Sequence, residues 1–274
     1  MPEIVNLCNI ETPNARRVVL NLLGVAGGGA LGAAEAIAAC ALFGISENSA
    51  RVTLARLSRA RLVEAAERGV YRLGPQGRAI AAAIAGWREA EARLVPWGGG
   101  WVAAATGGLP RSDRKVLRAR SRALSMLGMR ELDNGLFVRP DNFVGGVATV
   151  RERLAGLGLE PEAAVFRADG LDPARQARAM ALWRAEGLAD AYRQGARRLD
   201  AWAAGADALP LAAAARESFV LGDDAIRRIV FDPMLPAPLA DEAGRRGFID
   251  AAIRFDALGR RIWSRFLGGI GGGA

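Results

Sequence analysis

The sequence of 274 residues contains no histidine and only two cysteines, Cys8 and Cys40. A chain without histidine cannot build a Ser-His-Asp triad or a Cys-His pair, and it has no imidazole to bind zinc or to carry protons near neutral pH. Two cysteines so far apart in the sequence indicate neither a disulfide framework nor a metal cluster. These absences argue against a hydrolase, and we expect no enzymatic activity, no metal site and no cofactor.

Long apolar stretches are missing as well. No run of about 18 uncharged apolar residues occurs, so no membrane span is expected. The opening residues MPEIVNLCNIETPNARR do not place an apolar core after a basic start, as a secretion signal does. We therefore expect a cytoplasmic protein. Lysine occurs once, at Lys115, but arginine is abundant and the net charge is +8. Such a charge attracts polyanions, including DNA and anionic small molecules.

Residues 33–73 carry the most informative pattern. An apolar helix is predicted over Ala33–Phe43, and a second helix begins after Ser46, whose side chain suits an N-cap. In the second helix we expect four residues to pack on the preceding helices, namely Ala50, Val52, Leu54 and Leu57. Two β-like runs, Leu62–Ala65 and Val70–Leu73, follow and are joined by a short turn. This order is typical of a winged helix-turn-helix, which places one helix in the major groove of DNA.

Polar and basic residues occupy the remaining positions of that helix and of the hairpin. Asparagine reads adenine and arginine reads guanine through paired hydrogen bonds, while serine and threonine contact phosphates or bases. The alternative for the helix is an ordinary solvated face. On the first interpretation, the predicted DNA contacts are Ser46, Asn48, Ser49, Arg51, Thr53 and Arg56 on the helix and Arg68 and Arg72 on the hairpin.

The next segment alternates strand and helix signals in the order β-α-β-β-α-β, which is the ferredoxin-like split unit. A helix over Pro75–Leu94 is predicted to connect it to the preceding part. The hairpin of the unit is predicted at Asp133-Asn134-Gly135. From Asp172 onward the signals are helical, and many aromatic residues fall in this last third. Most of these aromatics are expected in a core or a dimer interface, and a few as the lining of an apolar pocket.

A dense basic run marks the first helix of the middle segment. At helical spacing one side carries Arg111, Arg114, Lys115, Arg118 and Arg122. Three interpretations remain open for this side: a solvated face, a supplementary contact to the DNA backbone, or a cradle for the phosphates of a coenzyme A ligand. A metal-dependent nuclease is a further alternative for this domain type. The first strand, however, ends Ala105-Thr106-Gly107 without a carboxylate, and Asp113 is better explained as a helix cap.

The most specific parts of the sequence are two segments, LFGISENSARVTLARLSRARLVEAAERGVYRLG and RRIVFDPMLPAPLADEAGRRGF. They resemble the phenylacetate-degradation repressor family, the PaaX-like transcriptional regulators. In the second segment Asp232, Pro233, Leu235 and Pro236 fill the family's proline-containing pattern. The resemblance covers almost the whole chain. It implies an α+β protein with an N-terminal winged helix-turn-helix (14–95), a central ferredoxin-like, Cas2-like domain (96–170) and a helical C-terminal domain (171–267).

The resemblance also implies a function. It indicates a homodimeric bacterial repressor of an aromatic or acyl-CoA catabolic operon, bound to double-stranded operator DNA and released by a CoA-thioester effector such as phenylacetyl-CoA. The family's effector residues do not carry over position by position. The candidate effector-binding residues therefore come from the basic run and are Arg111, Arg114, Lys115 and Arg118. A DNA-binding dimer without a small-molecule effector is the alternative.

Overall fold

The computed structural model describes residues 13–25, 29–183 and 187–271. Within these ranges the chain forms ten α-helices and seven β-strands, and the strands make two antiparallel sheets. The protein is therefore an α+β protein, as the sequence predicts. It divides into two compact units. The first unit comprises the residues up to Arg88, Ala196–Arg227 and the residues from Asp250 onward; the second comprises Glu89–Gly195 and Arg228–Ile249.

Three helices and a small sheet open the first unit. Its elements are α1 (Ala15–Val25), β1 (Leu31–Gly32), α2 (Ala33–Ala41), α3 (Glu47–Arg59), β2 (Val63–Glu67), β3 (Val70–Leu73) and α4 (Pro75–Ala85). Asn14 caps α1, because its Oδ1 accepts a hydrogen bond of 3.0 Å from the backbone N–H of Arg17. The strands lie in the order β1-β3-β2, and β2 and β3 form a hairpin. Gly69 turns this hairpin with φ of 78°, a conformation that favours glycine.

The helix after the hairpin is shorter than the sequence predicts. We expected it to extend to Leu94, but α4 ends at Ala85. Gly86 occupies the C-cap position, and glycine is less favourable than alanine inside a helix. The chain then turns, and only Glu91–Arg93 form a further short 3₁₀-helix.

The second unit contains a four-stranded sheet with two helices inserted between its strands. Its elements are β4 (Trp101–Ala105), α5 (Arg114–Met126), β5 (Arg130–Asp133), β6 (Leu136–Pro140), α6 (Gly146–Gly156) and β7 (Ala164–Ala168). The strands lie in the order β5-β6-β4-β7. Ala103 in the central strand β4 pairs with Val138 on one side and Phe166 on the other. The two helices therefore connect strands that are not hydrogen-bonded neighbours.

The remainder of the chain is helical: α7 (Pro173–Ala181), α8 (Leu188–Gly205), α9 (Leu211–Val230) and α10 (Glu242–Gly271). The last three helices contribute residues to both compact units. The predicted division at 14–95, 96–170 and 171–267 stays a prediction. No helix in the described part of the chain is both long and apolar enough to cross a membrane.

Each unit has its own apolar core. In the first unit one buried cluster contains Val19 of α1, Leu54 of α3, Phe219 of α9 and Trp263 of α10. The C-terminal helices therefore help to hold the helix that the sequence assigns to DNA contact. In the second unit Trp101 stacks on Trp183, with ring centroids 5.6 Å apart, and both indoles are buried.

Candidate nucleic-acid interface

One face of α3 is buried in the core, and the opposite face is exposed to solvent. Ser46 caps the helix, since its Oγ accepts a hydrogen bond of 3.3 Å from the backbone N–H of Ser49. The buried residues are Ala50, Leu54 and Leu57. They are spaced at i, i+4 and i+7, so they lie along one side of the helix. The N-cap and these three core positions are confirmed.

Val52 was expected in the core, and that prediction is wrong. Its side chain is 41% exposed. The physical reason is helical geometry: Val52 is two residues from both Ala50 and Leu54, and two residues turn the helix by about 200°. Val52 therefore lies in the middle of the exposed face, together with Asn48.

The predicted contact residues on α3 differ in how they are placed. Exposed side chains belong to Ser46, Asn48, Ser49, Arg51 and Arg56, whereas Thr53 is half-buried at the edge of the exposed face. Arg51 forms an ion pair of 2.7 Å with Glu47 one turn earlier, and both side chains are 61% exposed. Exposed pairs of this kind contribute little to stability, so Arg51 can exchange its partner for a phosphate or a base at small cost.

The hairpin places its two predicted arginines differently. Arg68 lies exposed in the turn between β2 and β3. Arg72 lies on β3, where its Nε donates a hydrogen bond of 2.9 Å to Glu64. Arg78 also donates to Glu64, at 3.2 Å. The hydrogen bond from Arg78, followed by that from Arg72, holds the pKa of Glu64 below its usual range. Both hairpin arginines are therefore exposed, and Arg72 is in addition held by its ion pair with Glu64.

Two basic residues near this surface were missed. Arg59 in the last turn of α3 and Arg61 just after the helix are both exposed. Arg59 follows Val52 by seven residues and therefore lies on the same exposed face. Extending the helical spacing past Arg56 would have identified Arg59 from the sequence. Arg61 has φ of 54°, a left-handed backbone conformation that few non-glycine residues adopt, and no local pattern indicates it.

The basic run belongs to the second unit. Its helix was predicted to begin at Arg111, but α5 begins at Arg114, so Arg111 precedes the helix. The exposed members of the run are Arg111, Arg114, Lys115, Arg118 and Arg122. Arg120, from the same run, is buried and forms an ion pair with Glu160. Asp113 is the N-cap of α5, because its Oδ1 accepts hydrogen bonds from the backbone N–H groups of Lys115 at 2.7 Å and Val116 at 3.3 Å. The run therefore separates into an exposed basic face and one internal structural arginine.

A comparison with solved structures finds a similar fold in the uncharacterized protein Rv0674 from Mycobacterium tuberculosis. The likeness has a TM-score of 0.63 at 24% sequence identity and covers 92% of this chain and 98% of that chain. No model of a known protein family matches the chain, and no curated protein matches it. At this identity the chain shares with the Mycobacterium tuberculosis protein a fold over almost the full extent of both chains.

Proposed function

We propose that the chain is a DNA-binding transcriptional regulator whose α3 enters the major groove. One observation carries the proposal: α3 is anchored through Ala50, Leu54 and Leu57, while its opposite face presents Asn48 and Arg56 to solvent. These two residue types are suited to reading adenine and guanine at base edges. An anchored helix with an exposed polar face is what a recognition helix requires, because its side chains must be free while its axis is held.

The local charge supports the same proposal. Between Ser46 and Arg78 the chain has seven arginines and three glutamates, a net charge of +4. Phosphate contacts by arginine supply most of the sequence-independent affinity for DNA. Arg68 at the hairpin turn would contact the backbone or the minor groove beside α3, and Arg59 would extend the contact along the helix.

The element order supports finer assignments of the fold. We assign α1, α2 and α3 with the sheet β1-β3-β2 to a winged helix-turn-helix. We assign β4, α5, β5, β6, α6 and β7 to a ferredoxin-like, Cas2-like domain, since both the order β-α-β-β-α-β and the strand order β5-β6-β4-β7 suit it.

The family resemblance leads to the regulatory part of the proposal. The regulator acts as a homodimer on an inverted repeat, with half-sites about 34–36 Å apart so that both α3 helices enter the same side of the duplex. Occupation of promoter DNA represses an aromatic or acyl-CoA catabolic operon. A CoA thioester relieves repression by preferring the state of the protein that does not bind DNA, because equal affinity for both states would shift nothing.

The test selects bound sequences from random double-stranded DNA and measures affinity for the selected site by fluorescence anisotropy at fixed salt. Arg51→Ala and Arg56→Ala are each expected to weaken specific binding by about 1–3 kcal/mol. The matched control, Arg261→Ala with Arg265→Ala, removes two exposed charges from α10 of the same unit. Arg51→Ala and Arg56→Ala are also combined in one variant. If the control and this double variant lose the same affinity for DNA, the effect is due to net charge alone. Failure to select any sequence would refute the proposed function.

A further inference from the structure

A cavity of about 500 Å³ opens beside the turn between α2 and α3. Leu42 and Phe43 of that turn line it, and further apolar lining comes from Trp202 of α8 and Val220 of α9. All of these residues belong to the first unit. A volume of this size falls in the range of about 300–1,000 Å³ that is usual for small-molecule sites.

The apolar walls are held by aromatic contacts behind them. The ring of Phe43 packs on Phe219 with centroids 5.2 Å apart. The ring of Trp202 packs on Phe255, also at 5.2 Å. The Trp202 indole N–H donates a hydrogen bond of 2.8 Å to Oε2 of Glu217. The two aromatic walls are therefore fixed before any ligand enters, which lowers the entropic cost of binding.

Two arginines give the cavity its charge. Arg198 of α8 and Arg216 of α9 both line it, and within the described residues neither side chain has a carboxylate partner. Other arginines of these helices are paired, for example Arg193 of α8 with Asp190 at 2.7 Å and Arg227 of α9 with Asp223 at 3.8 Å. Glu217 also lines the cavity, but one of its oxygens is engaged by Trp202. The lining thus combines an apolar body with an excess of one positive charge.

We propose that this cavity binds a small organic carboxylate. Its apolar or aromatic body would lie against Phe43 and Trp202, and its carboxylate would accept hydrogen bonds from Arg198 and Arg216. The planar guanidinium suits a carboxylate because it donates two parallel hydrogen bonds. A neutral ligand leaves both guanidinium groups without an acceptor. An inorganic anion leaves the apolar walls uncovered. The proposal concerns this cavity alone and does not depend on DNA binding.

The first experiment measures binding by isothermal titration calorimetry with the full chain. The ligands are benzoate, 2-naphthoate and hexanoate, each compared with its neutral amide and with its CoA thioester. At least one carboxylate is expected to bind with a dissociation constant below about 1 mM, and its amide to bind roughly tenfold more weakly or worse. The proposal is overturned if no carboxylate binds in that range, if the amides bind equally well, or if the CoA thioesters bind while the free carboxylates do not.

Variants then locate the site. Arg198→Gln with Arg216→Gln is expected to weaken carboxylate binding roughly tenfold or more. Arg197→Gln with Arg265→Gln removes the same charge from exposed positions outside the lining and is expected to leave binding unchanged. Val220→Phe adds a ring to the cavity wall without changing charge and is expected to weaken binding. Native unfolding midpoints establish that each variant is folded. Wild-type affinity in both the arginine pair variant and Val220→Phe would place the ligand elsewhere and overturn the proposal.

Discussion

Tyr192 of α8 donates a hydrogen bond of 2.6 Å from its phenolic hydroxyl to Oδ2 of Asp232, the residue that begins the proline-containing segment after α9. The other carboxylate oxygen accepts a hydrogen bond of 2.8 Å from the backbone N–H of Met234. Arg245 and Glu91, paired at 2.6 Å, act on the same carboxyl group by their charges. Burial raises the pKa of Asp232 above its ordinary value, and burial also raises the pKa of Tyr192.

Removal of this hydroxyl should destabilise the second unit. Tyr192→Phe leaves a buried carboxyl group without one of its donors, and we expect a loss of about 1–3 kcal/mol in the free energy of unfolding. Urea denaturation followed by circular dichroism measures it. Tyr71→Phe, at the other tyrosine of the chain, lies on the hairpin of the first unit and provides the control. Equal small effects of the two substitutions would mean that the Asp232 contact contributes nothing.

The pH dependence of stability should report Asp232 directly. An unfolded aspartate has a pKa of about 3.9. Because the folded pKa of Asp232 lies above its ordinary value, the folded state binds the proton more tightly. The resulting stability is present below about pH 4 and is lost as the pH rises through the folded pKa. Asp232→Asn removes this dependence. Wild type should therefore lose stability relative to Asp232→Asn as the pH is raised from about 3 to 7. A constant difference between the two proteins would contradict the shift.

Substitution of two nearby arginines of α5, Arg118 and Arg120, should affect stability to very different extents. Arg120 is buried and donates hydrogen bonds to both oxygens of Glu160 and, at 2.9 Å, to the carbonyl of Pro110. Arg120→Ala leaves Glu160 without its partner and should cost about 2–3 kcal/mol of stability. Arg118→Ala changes an exposed position and should stay within about 0.5 kcal/mol. Thermal and urea unfolding distinguish them.

The ion pair between Arg120 and Glu160 should also make stability depend on pH, with a sign opposite to that expected for Asp232. The hydrogen bond from Arg120 holds the pKa of Glu160 below its usual range. The stability it contributes is present above the unfolded pKa of about 4.3 and is lost as the pH falls through the lowered folded pKa. In Arg120→Ala this acid-induced loss should be smaller than in wild type. If wild type and Arg120→Ala lose stability equally as the pH falls, the pair is not formed in solution.

The effector proposal predicts a ligand that acts on DNA binding. Phenylacetyl-CoA and related thioesters should lower the affinity of the chain for its selected DNA site, and Arg114→Ala with Arg118→Ala should weaken thioester binding, since each lost charge-assisted hydrogen bond is worth about 1.5–3 kcal/mol. Calorimetry and anisotropy measure the two effects, with Arg261→Ala and Arg265→Ala as the charge-matched control. If no thioester binds below about millimolar, the effector-independent DNA-binding dimer becomes the better account. If a thioester binds equally well to the α5 variant, its site lies away from α5.

Local sequence patterns were sufficient to predict the N-cap and the main core positions of α3, but not the exposure of Val52 or the end of α4. Ser46 as the N-cap and the spacing of Leu54 and Leu57 are relationships between near neighbours in the chain, so they are visible in the sequence. Val52 was misplaced because its apolar side chain suggests burial, whereas its angular position on the helix is opposite to Ala50 and Leu54. The early end of α4 at Ala85 was missed because the residues after Gly86, WREAEARL, are mostly good helix formers.

The sequence by itself determined the α+β class, the order of helices and strands from α2 to β7, the anchored side of α3 and the net positive charge. Tertiary structure alone decided which arginines are internal. Arg120 pairs with a glutamate 40 positions away and Arg245 with one 154 positions away. Arg139 lies 3.7 Å from the ring of Phe143, where burial lowers its pKa to about 9. The cavity beside Phe43 likewise depends on α8 and α9, which come much later in the chain. Burial and ion pairing are set by contacts between distant segments, and spacing within one segment cannot specify those contacts.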